Sequence, residues 1–244
     1  MESNPRLLAI SPHLDDAVLS CGLLLAAHPN AFVCTVFTAP PATDMTTEWD
    51  QAAGFTGAFE AMRARRAEDR EALACVGARP VHLRFCDAQY QTPPAPDALN
   101  TALHRAVLEA EPTTMLIPLG LFHSDHLLVA DACLTLMQRH PAVSVVAYED
   151  VPYRSMPGAV QDRLCELGKR GYLADTAQAL DTTVTPRHEQ MKRAALDAYR
   201  SQLRAFGADA SARLFSPERY WRLSMAKATS TGWRTDRNQA ASVT

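Results

Sequence analysis

The feature that most constrains the fold is an alternation of short apolar segments with helix-forming segments through residue 150. Five apolar, partly β-branched segments predict strands, at residues 6–11, 31–38, 81–86, 114–118 and 143–148. Between them, the composition predicts helices at residues 17–27, 58–76, 97–110 and 126–139. Strands that alternate with helices in this way form parallel sheets with helices on both faces. We therefore predict an α/β fold with a Rossmann-like, doubly wound, mostly parallel sheet.

The pattern is less regular in the remaining parts of the chain. Residues 42–57 are polar and predict a long loop or an irregular helix, and a helix near 158–170 and a short strand near 180–185 follow later. From Arg187 to Phe206, apolar residues recur every four positions, which predicts one long helix with a docking face. We divide the chain into a Rossmann-like core, a C-terminal helical and strand extension packed on the same domain, and a polar tail, at residues 1–155, 156–227 and 228–244.

Charge and composition argue against several classes of function. The formal net charge is −3, and the richest basic cluster, residues 63–66, is flanked by acidic residues, so we expect no nucleic-acid partner. No apolar run approaches the roughly 20 residues that span a bilayer, and no secretory signal is recognisable. The six cysteines are scattered without a CxxC pair, which favours free thiols. We expect a cytoplasmic protein without stable membrane insertion, and the sequence leaves a homo-oligomer open.

The turn after the first predicted strand carries Pro12-His13-Leu14-Asp15-Asp16 in place of a glycine-rich dinucleotide fingerprint. Ligands of open parallel sheets bind at the carboxyl ends of the strands, where this turn is expected to lie. His13 and Asp16 are close enough in sequence to converge on one point, and imidazole and carboxylate groups are natural zinc ligands. The alternative is that one of the two acids caps the following helix. Capping would account for neither the second acid nor His13.

A second polar cluster, His123-Ser124-Asp125-His126, follows the fourth predicted strand. In doubly wound sheets the first and fourth strands are often neighbours that flank the ligand crevice. We therefore expect His123 and His126 to lie across the crevice from His13 and Asp16. One histidine of this pair would complete a three-ligand site with an open fourth position, which is typical of catalytic zinc. The alternative is a pair of capping or surface histidines.

These two motifs resemble the PIG-L/LmbE-like family of metal-dependent N-acetylglucosaminyl de-N-acetylases, whose signatures are Pro-His-x-Asp-Asp and His-x-x-His. The resemblance covers residues 6–154 and continues more weakly, for example in "MKRAALDAYRSQ" (191–202). It implies a zinc-dependent hydrolase that removes an N-acetyl group from an N-acetylglucosamine-type amino sugar in a small glycoconjugate. The alternatives are an amidase of a larger amide conjugate and a catalytically inactive metal- or sugar-binding relative. The intact set of motif residues argues against the inactive relative.

The resemblance also implies a role for each polar residue of the two motifs. Asp15 would be the general base, and His123 would stabilise the oxyanion or protonate the leaving amine. Asp125 would orient His123 and raise its pKa. The ligands of Zn²⁺, or of another divalent metal such as Fe²⁺, would be His13, Asp16 and His126.

Candidate substrate-binding residues lie outside the two motifs. Arg65 and Asp87 match family positions that contact the sugar or its aglycone, although Arg65 could instead pair with Glu68 on an exposed helix. Tyr153 and Arg154 follow the fifth predicted strand and could line the rim of the site, or simply pack their loop.

Three further residues bear on the prediction. Trp49 could stack on a sugar face or anchor its loop. Two positions depart from the family pattern. Many members carry Glu where this chain has Ala17, and some carry tyrosine where it has Leu121. The second difference means that any tyrosine that assists the oxyanion must come from elsewhere.

Overall fold

The computed structural model describes residues 6–90, 93–177 and 182–226. The predicted polar tail (228–244) lies outside these described residues. The strands are β1 (Leu7–Ser11), β2 (Phe32–Ala39), β3 (Arg79–Cys86), β4 (Thr114–Pro118), β5 (Ser144–Tyr148), β6 (Tyr172–Ala177) and β7 (Tyr220–Met225). The helices are α1 (Asp16–Ala27), α2 (Glu48–Ala52), α3 (Ala58–Cys75), α4 (Pro96–Ala110), α5 (Ser124–Arg139), α6 (Ala159–Lys169), α7 (Pro186–Ala198), α8 (Arg200–Phe206) and α9 (Ala210–Leu214).

The strands form a seven-stranded sheet in the order β3-β2-β1-β4-β5-β7-β6. The first five strands are parallel, and β1 lies between β2 and β4, with Leu8 opposite both Phe32 and Met115. The chain therefore winds outward from β1 in one direction and from β4 in the other, which places the switch point between these two strands. The predicted doubly wound, mostly parallel sheet is confirmed.

Apolar side chains cover both faces of the sheet, and the central strand β1 is therefore buried on both sides. Leu7 and Ala9 point to one face, and Leu8 and Ile10 point to the other, as the two-residue period of a strand requires. The first face packs against residues of α1, α3 and α7, including Leu19, Leu73 and Leu196. The second face packs against residues of α4, α5 and α6, including Leu103, Leu136 and Leu167. These two layers hold the sheet in place, and with it the carboxyl edge where the polar turns lie.

The edge beyond β5 differs from the sequence-based prediction. Strands β7 and β6 add to the sheet in antiparallel orientation, and neither was predicted. Strand β6 is an edge strand in which three of six residues are exposed, including Leu173 at 52% exposure, so it lacks a continuous apolar signal. The strand predicted near 180–185 is wrong for 182–185, which form no strand, and its remaining residues lie outside the described ranges.

The long helix predicted from Arg187 to Phe206 is two helices, α7 and α8, separated at Tyr199. The Tyr199 hydroxyl donates to Asp69 Oδ1 over 2.9 Å. The Ser201 N–H and hydroxyl donate to the two carboxylate oxygens of Glu68, at 3.1 and 2.6 Å. The bond from the Ser201 N–H satisfies a backbone group that an unbroken helix would satisfy internally, and the two hydroxyl bonds tie the junction to α3. The predicted docking face is nevertheless present, since Ala195 and Tyr199 are buried.

Residues 42–57 contain the short helix α2, which begins with a capping box between Thr47 and Asp50. The segment therefore combines the two predicted alternatives, a loop and a short helix. Within the described ranges, no helix is both long and apolar enough to cross a membrane.

Candidate metal centre and active site

The two polar motifs lie together at the carboxyl ends of β1 and β4. The imidazole ring of His13, from the turn after β1, has its centroid 5.3 Å from that of His123 and 5.2 Å from that of His126. His123 occupies the N-cap position of α5, and His126 lies in the first turn of that helix. The adjacency of β1 and β4 therefore brings the motifs to one crevice, as the strand order predicted.

Three side chains form a compact donor set. Oδ2 of Asp16 lies 3.3 Å from Nδ1 of His13 and 3.2 Å from Nε2 of His126. One donor atom from each residue lies within 4.8 Å of the other two, which is close enough to share a metal ion. Nε2 of His126 is fully buried and makes no well-aligned hydrogen bond to any described residue. A buried polar atom without a partner is unfavourable, so this donor set fits a divalent metal ion.

The other nitrogen of His126 is held by Asp150, which sequence reasoning did not identify. Oδ1 of Asp150 lies 2.6 Å from Nδ1 of His126. Its Oδ2 accepts the backbone N–H groups of Gly120 and Leu121 at 2.9 and 3.1 Å. Burial lowers the pKa of His126, but the carboxylates of Asp16 and Asp150 outweigh burial and raise this pKa to about 9. Asp150 lies just beyond the end of β5, so the rule that drew attention to β1 and β4 could have found it.

The two adjacent acids of the first motif have different surroundings. Asp15 occupies the N-cap position of α1, but its side chain makes no capping hydrogen bond. Instead, Ser11 Oγ accepts the backbone N–H of Ala17 at 3.0 Å. The Asp15 side chain lines the cavity described below, so the capping alternative does not account for it. Asp16 Oδ2 accepts the backbone N–H of His13 at 2.8 Å and faces the two histidines.

The same surroundings move the pKa values of the two acids apart. Burial and the charge of Asp16 raise the pKa of Asp15 to about 8. Burial also opposes ionisation of Asp16, but the nearby imidazoles of His126 and His13 outweigh burial and keep the Asp16 pKa below its usual range. Two carboxyl groups with separated pKa values are typical of an acid–base site.

The carboxylate of Asp125 does not orient His123 as the resemblance implied. Its Oδ2 lies 3.0 Å from Nε2 of His13 and accepts the backbone N–H of Ala88 at 3.2 Å. Asp125 is hydrogen-bonded to His123 only through its backbone N–H, which donates to Nδ1 at 3.2 Å. Burial and the charge of His13 lower the pKa of His123, and the opposing charge of Asp125 is too weak to reverse this. The expected rise in the His123 pKa is therefore wrong, because the Asp125 carboxylate faces His13.

His13 lies between three carboxylates. Besides Asp16 and Asp125, Oδ2 of Asp87 lies 3.8 Å from its Nε2. Burial lowers the pKa of His13, but the charge of Asp87 and the hydrogen bonds to Asp125 and Asp16 raise it well above its usual value. His13, His123 and Asp125 also bring one donor atom each within 4.8 Å of the others. His13 thus belongs to both groups of potential ligands.

A cavity of about 240 Å³ opens over these residues. Four predicted catalytic or ligand residues line it: His13, Asp15, Asp16 and His123. Three of the four predicted substrate-binding residues also line it: Arg65, Asp87 and Tyr153. Arg154 is not among the lining residues, because its guanidinium donates to the carbonyl of Pro217 and the hydroxyl of Ser216. The structure therefore does not bring Arg154 to the cavity.

Arg65 lies in a buried ion pair at the cavity wall. Its guanidinium is 2.8 Å from Asp50 Oδ1 and donates to the Tyr90 hydroxyl at 3.0 Å. Tyr90 in turn donates to Asp50 at 2.7 Å. The alternative of an exposed pair with Glu68 is wrong, because this face of α3 is buried and Glu68 binds Ser201.

Comparisons with known proteins identify the family. A sequence model of the family described as "PIG-L: GlcNAc-PI de-N-acetylase" matches residues 8–137, more than half of the chain. The chain belongs to the PIG-L family. The match spans both polar motifs, and it confirms the predicted resemblance and the predicted class of deacetylase hydrolase. A comparison with curated proteins finds no match.

Solved structures of deacetylases resemble this PIG-L protein over nearly its whole length. The A40926 pseudoaglycone deacetylase Dbv21 is 27% identical, with a TM-score of 0.72, over 93% of this chain and 100% of that one. The zinc-inhibited form of teicoplanin deacetylase Orf2 is 25% identical, with a TM-score of 0.73, over 92% and 100%. A deacetylase–teicoplanin complex is 26% identical, with a TM-score of 0.69, over 91% and 99%.

The two departures from the PIG-L pattern lie in the core and not in the cavity. Ala17 is 2% exposed and packs in the apolar layer on the α1 side of the sheet. Leu121 is 1% exposed and packs in the layer on the opposite side. Neither residue lines the cavity. The aromatic residue closest to the histidines is Tyr153, whose ring stacks at 6.1 Å on His123 and meets His126 edge-on at 5.0 Å.

Proposed function

We propose that this PIG-L protein is a zinc-dependent hydrolase that removes an N-acetyl group from an N-acetylglucosamine-type amino sugar in a small glycoconjugate. The observation that carries the proposal is the donor set of His13, Asp16 and His126, with Asp15 beside it at the cavity wall. Family membership supports the reaction class. The similar structures of an A40926 pseudoaglycone deacetylase and a teicoplanin deacetylase support a glycoconjugate substrate.

The proposed metal ligands are His13, Asp16 and His126. Two imidazoles and one carboxylate suit zinc with an open position for water, and they also suit Fe²⁺. When bound, the cation would supply a Lewis acid that polarises the amide carbonyl and makes water more acidic. Asp150 supports the site, because its bond to Nδ1 leaves Nε2 of His126 facing Asp16.

Asp15 is the proposed general base. Amide hydrolysis requires a proton to leave the attacking water and a proton to reach the departing nitrogen. Asp15 makes no capping bond, lies next to a ligand and faces the cavity, so its carboxylate is free to accept the first proton. A carboxyl group with a raised pKa, once ionised, is also a stronger proton acceptor. The same group could then return that proton to the amine.

His123 is the proposed oxyanion-stabilising residue. Its Nδ1 accepts a hydrogen bond from the backbone N–H of Asp125. A neutral imidazole that accepts at Nδ1 carries its proton on Nε2. The lowered pKa of His123 favours this neutral form. His123 would therefore donate a hydrogen bond from Nε2 to the oxygen on which negative charge develops.

The test is acetate release by the purified protein from N-acetylglucosamine, its glycosides and longer N-acyl analogues. We expect a stoichiometric divalent metal, acetate release from N-acetylated sugars, loss of release with a chelator and recovery on addition of Zn²⁺ or Fe²⁺. Preferential release of the longer acyl groups would favour the amidase alternative. Failure to release acetate from any of these sugars after metal loading would overturn the proposal. The predicted cytoplasmic location stays a prediction.

A further inference from the structure

Part of the cavity wall comes from two short helices outside both metal motifs. Trp49 of α2 and Gln202 and Phe206 of α8 all line the cavity. Nε1 of Trp49 donates to Oε1 of Gln202 over 3.0 Å. The rings of Trp49 and Phe206 meet edge-to-face at 5.1 Å, with 78° between their planes. The three side chains thus form one unit, which we call the aromatic wall.

Neighbouring bonds hold the aromatic wall in place. Asp50, which follows Trp49, is completely buried and forms the ion pair with Arg65. Arg204 of α8 donates to the backbone carbonyl of Ala53, the residue that ends α2, at 2.8 Å. Both helices are therefore tied to each other and to α3. A binding surface that is rigid before the ligand arrives loses less entropy on binding.

Gln202 has one hydrogen-bonding group left over. An indole N–H can only donate, so Gln202 must present its amide oxygen to Trp49, and its NH₂ group must point elsewhere. The side chain is 7% exposed and lines the cavity. In the part of the chain that the structure describes, nothing accepts a hydrogen bond from its Nε2. This donor is therefore available to an oxygen acceptor of a ligand in the cavity.

We propose that the aromatic wall is the sugar-recognition site of this enzyme, which deepens and rests on the proposed function. A pyranose has an apolar face of C–H groups and an edge of oxygen atoms. Trp49 and Phe206 would contact the C–H face, and Gln202 Nε2 would donate to an oxygen on the edge. The required substrate is therefore a pyranoside with a free oxygen acceptor beside its apolar face. A simple N-acetylated amine would satisfy the metal site but leave the wall unused.

The variants Trp49→Ala and Gln202→Met test this assignment, with Gln51→Met as a matched control on the exposed side of α2. The probes are a methyl glycoside of N-acetylglucosamine and N-acetylethanolamine, which lacks the ring. We expect Gln202→Met to raise KM for the glycoside roughly 3- to 10-fold with little change in kcat. Trp49→Ala should raise it at least about tenfold. Neither should change kcat/KM for N-acetylethanolamine.

Calorimetric binding of the glycoside in an Asp15→Asn background gives a readout independent of turnover, and it should weaken by the same factors. Thermal unfolding of each variant shows whether it is folded. If the unaltered chain hydrolyses the glycoside and both variants bind it with unchanged Kd, the wall proposal is overturned while the proposed function stands. If the unaltered chain neither binds nor hydrolyses any N-acetylated sugar, the proposed function itself fails.

Discussion

Nδ1 of His126 lies 2.6 Å from Oδ1 of Asp150, and both side chains are completely buried. This contact fixes the orientation of the imidazole and leaves Nε2 on the side of Asp16. Asp150 also binds the backbone of the turn after β4 through its other oxygen. One acid at the end of β5 therefore positions both the histidine and the turn that precedes it.

Replacing Asp150 should weaken metal binding without removing a ligand. We expect Asp150→Ala to lower the affinity for Zn²⁺ by roughly 10- to 100-fold, because the imidazole loses its orienting partner. Competition with a chromophoric chelator measures this affinity. Asp197→Ala, at an exposed position on α7, serves as the control and should bind Zn²⁺ normally. Unchanged affinity in Asp150→Ala would show that His126 needs no such support.

Two glycines with the same φ angle separate the effect of packing from that of backbone strain. Gly120 and Gly171 both have φ of +83°. A Cβ at Gly120 would lie 2.6 Å from Cβ of Ala130, whereas one at Gly171 would meet nothing within 4 Å. The left-handed conformation costs an L side chain about 1–2 kcal/mol, and overpacking adds about 1–3 kcal/mol.

We therefore expect Gly120→Ala to lower the free energy of unfolding by the cost of the left-handed conformation plus the cost of overpacking. Gly171→Ala should lower it by the cost of the left-handed conformation alone. Urea unfolding of the two variants measures the difference. Equal losses would mean that the turn after β4 can move away from α5, contrary to the close packing described above.

The buried ion pair of Asp50 and Arg65 should contribute to stability in a way that an exposed pair does not. Asp50→Ala leaves the Arg65 guanidinium buried without its carboxylate, and we expect a loss of about 3–5 kcal/mol in the free energy of unfolding. Glu109→Ala removes the partner of Arg105 in a pair that is 81% and 61% exposed, and it should change stability little. A similar, small effect for both variants in urea unfolding would contradict this account.

The sequence predicted the elements whose apolar pattern is strong. Strand β4 matches its predicted range, because all five of its residues are buried and all but Thr114 are apolar. The juxtaposition of His13 and His126 followed from strand order alone. Strand β6 was missed because it is an exposed edge, and the break at Tyr199 was missed because its cause, the hydrogen bonds to α3, comes from residues distant in sequence.

The same limit applies to side-chain partners. The family resemblance implied that Asp125 serves its near neighbour His123, whereas its carboxylate reaches His13, more than a hundred residues away in the chain. Gln202 was part of a recognised segment, but its importance depends on Trp49 from another part of the chain. Pairings of this kind are decided by the packing of helices, which no local pattern records.

The most direct test of the central claim compares the two adjacent acids of the first motif. Purified Asp15→Asn and Asp16→Asn variants are analysed for bound Zn²⁺ and for kcat on an N-acetylated sugar. We expect Asp15→Asn to keep a full equivalent of metal while its kcat falls by at least about 100-fold, and we expect Asp16→Asn to lose both metal and turnover. Retained turnover in Asp15→Asn, or loss of its metal, would contradict the separate roles assigned to these two neighbours.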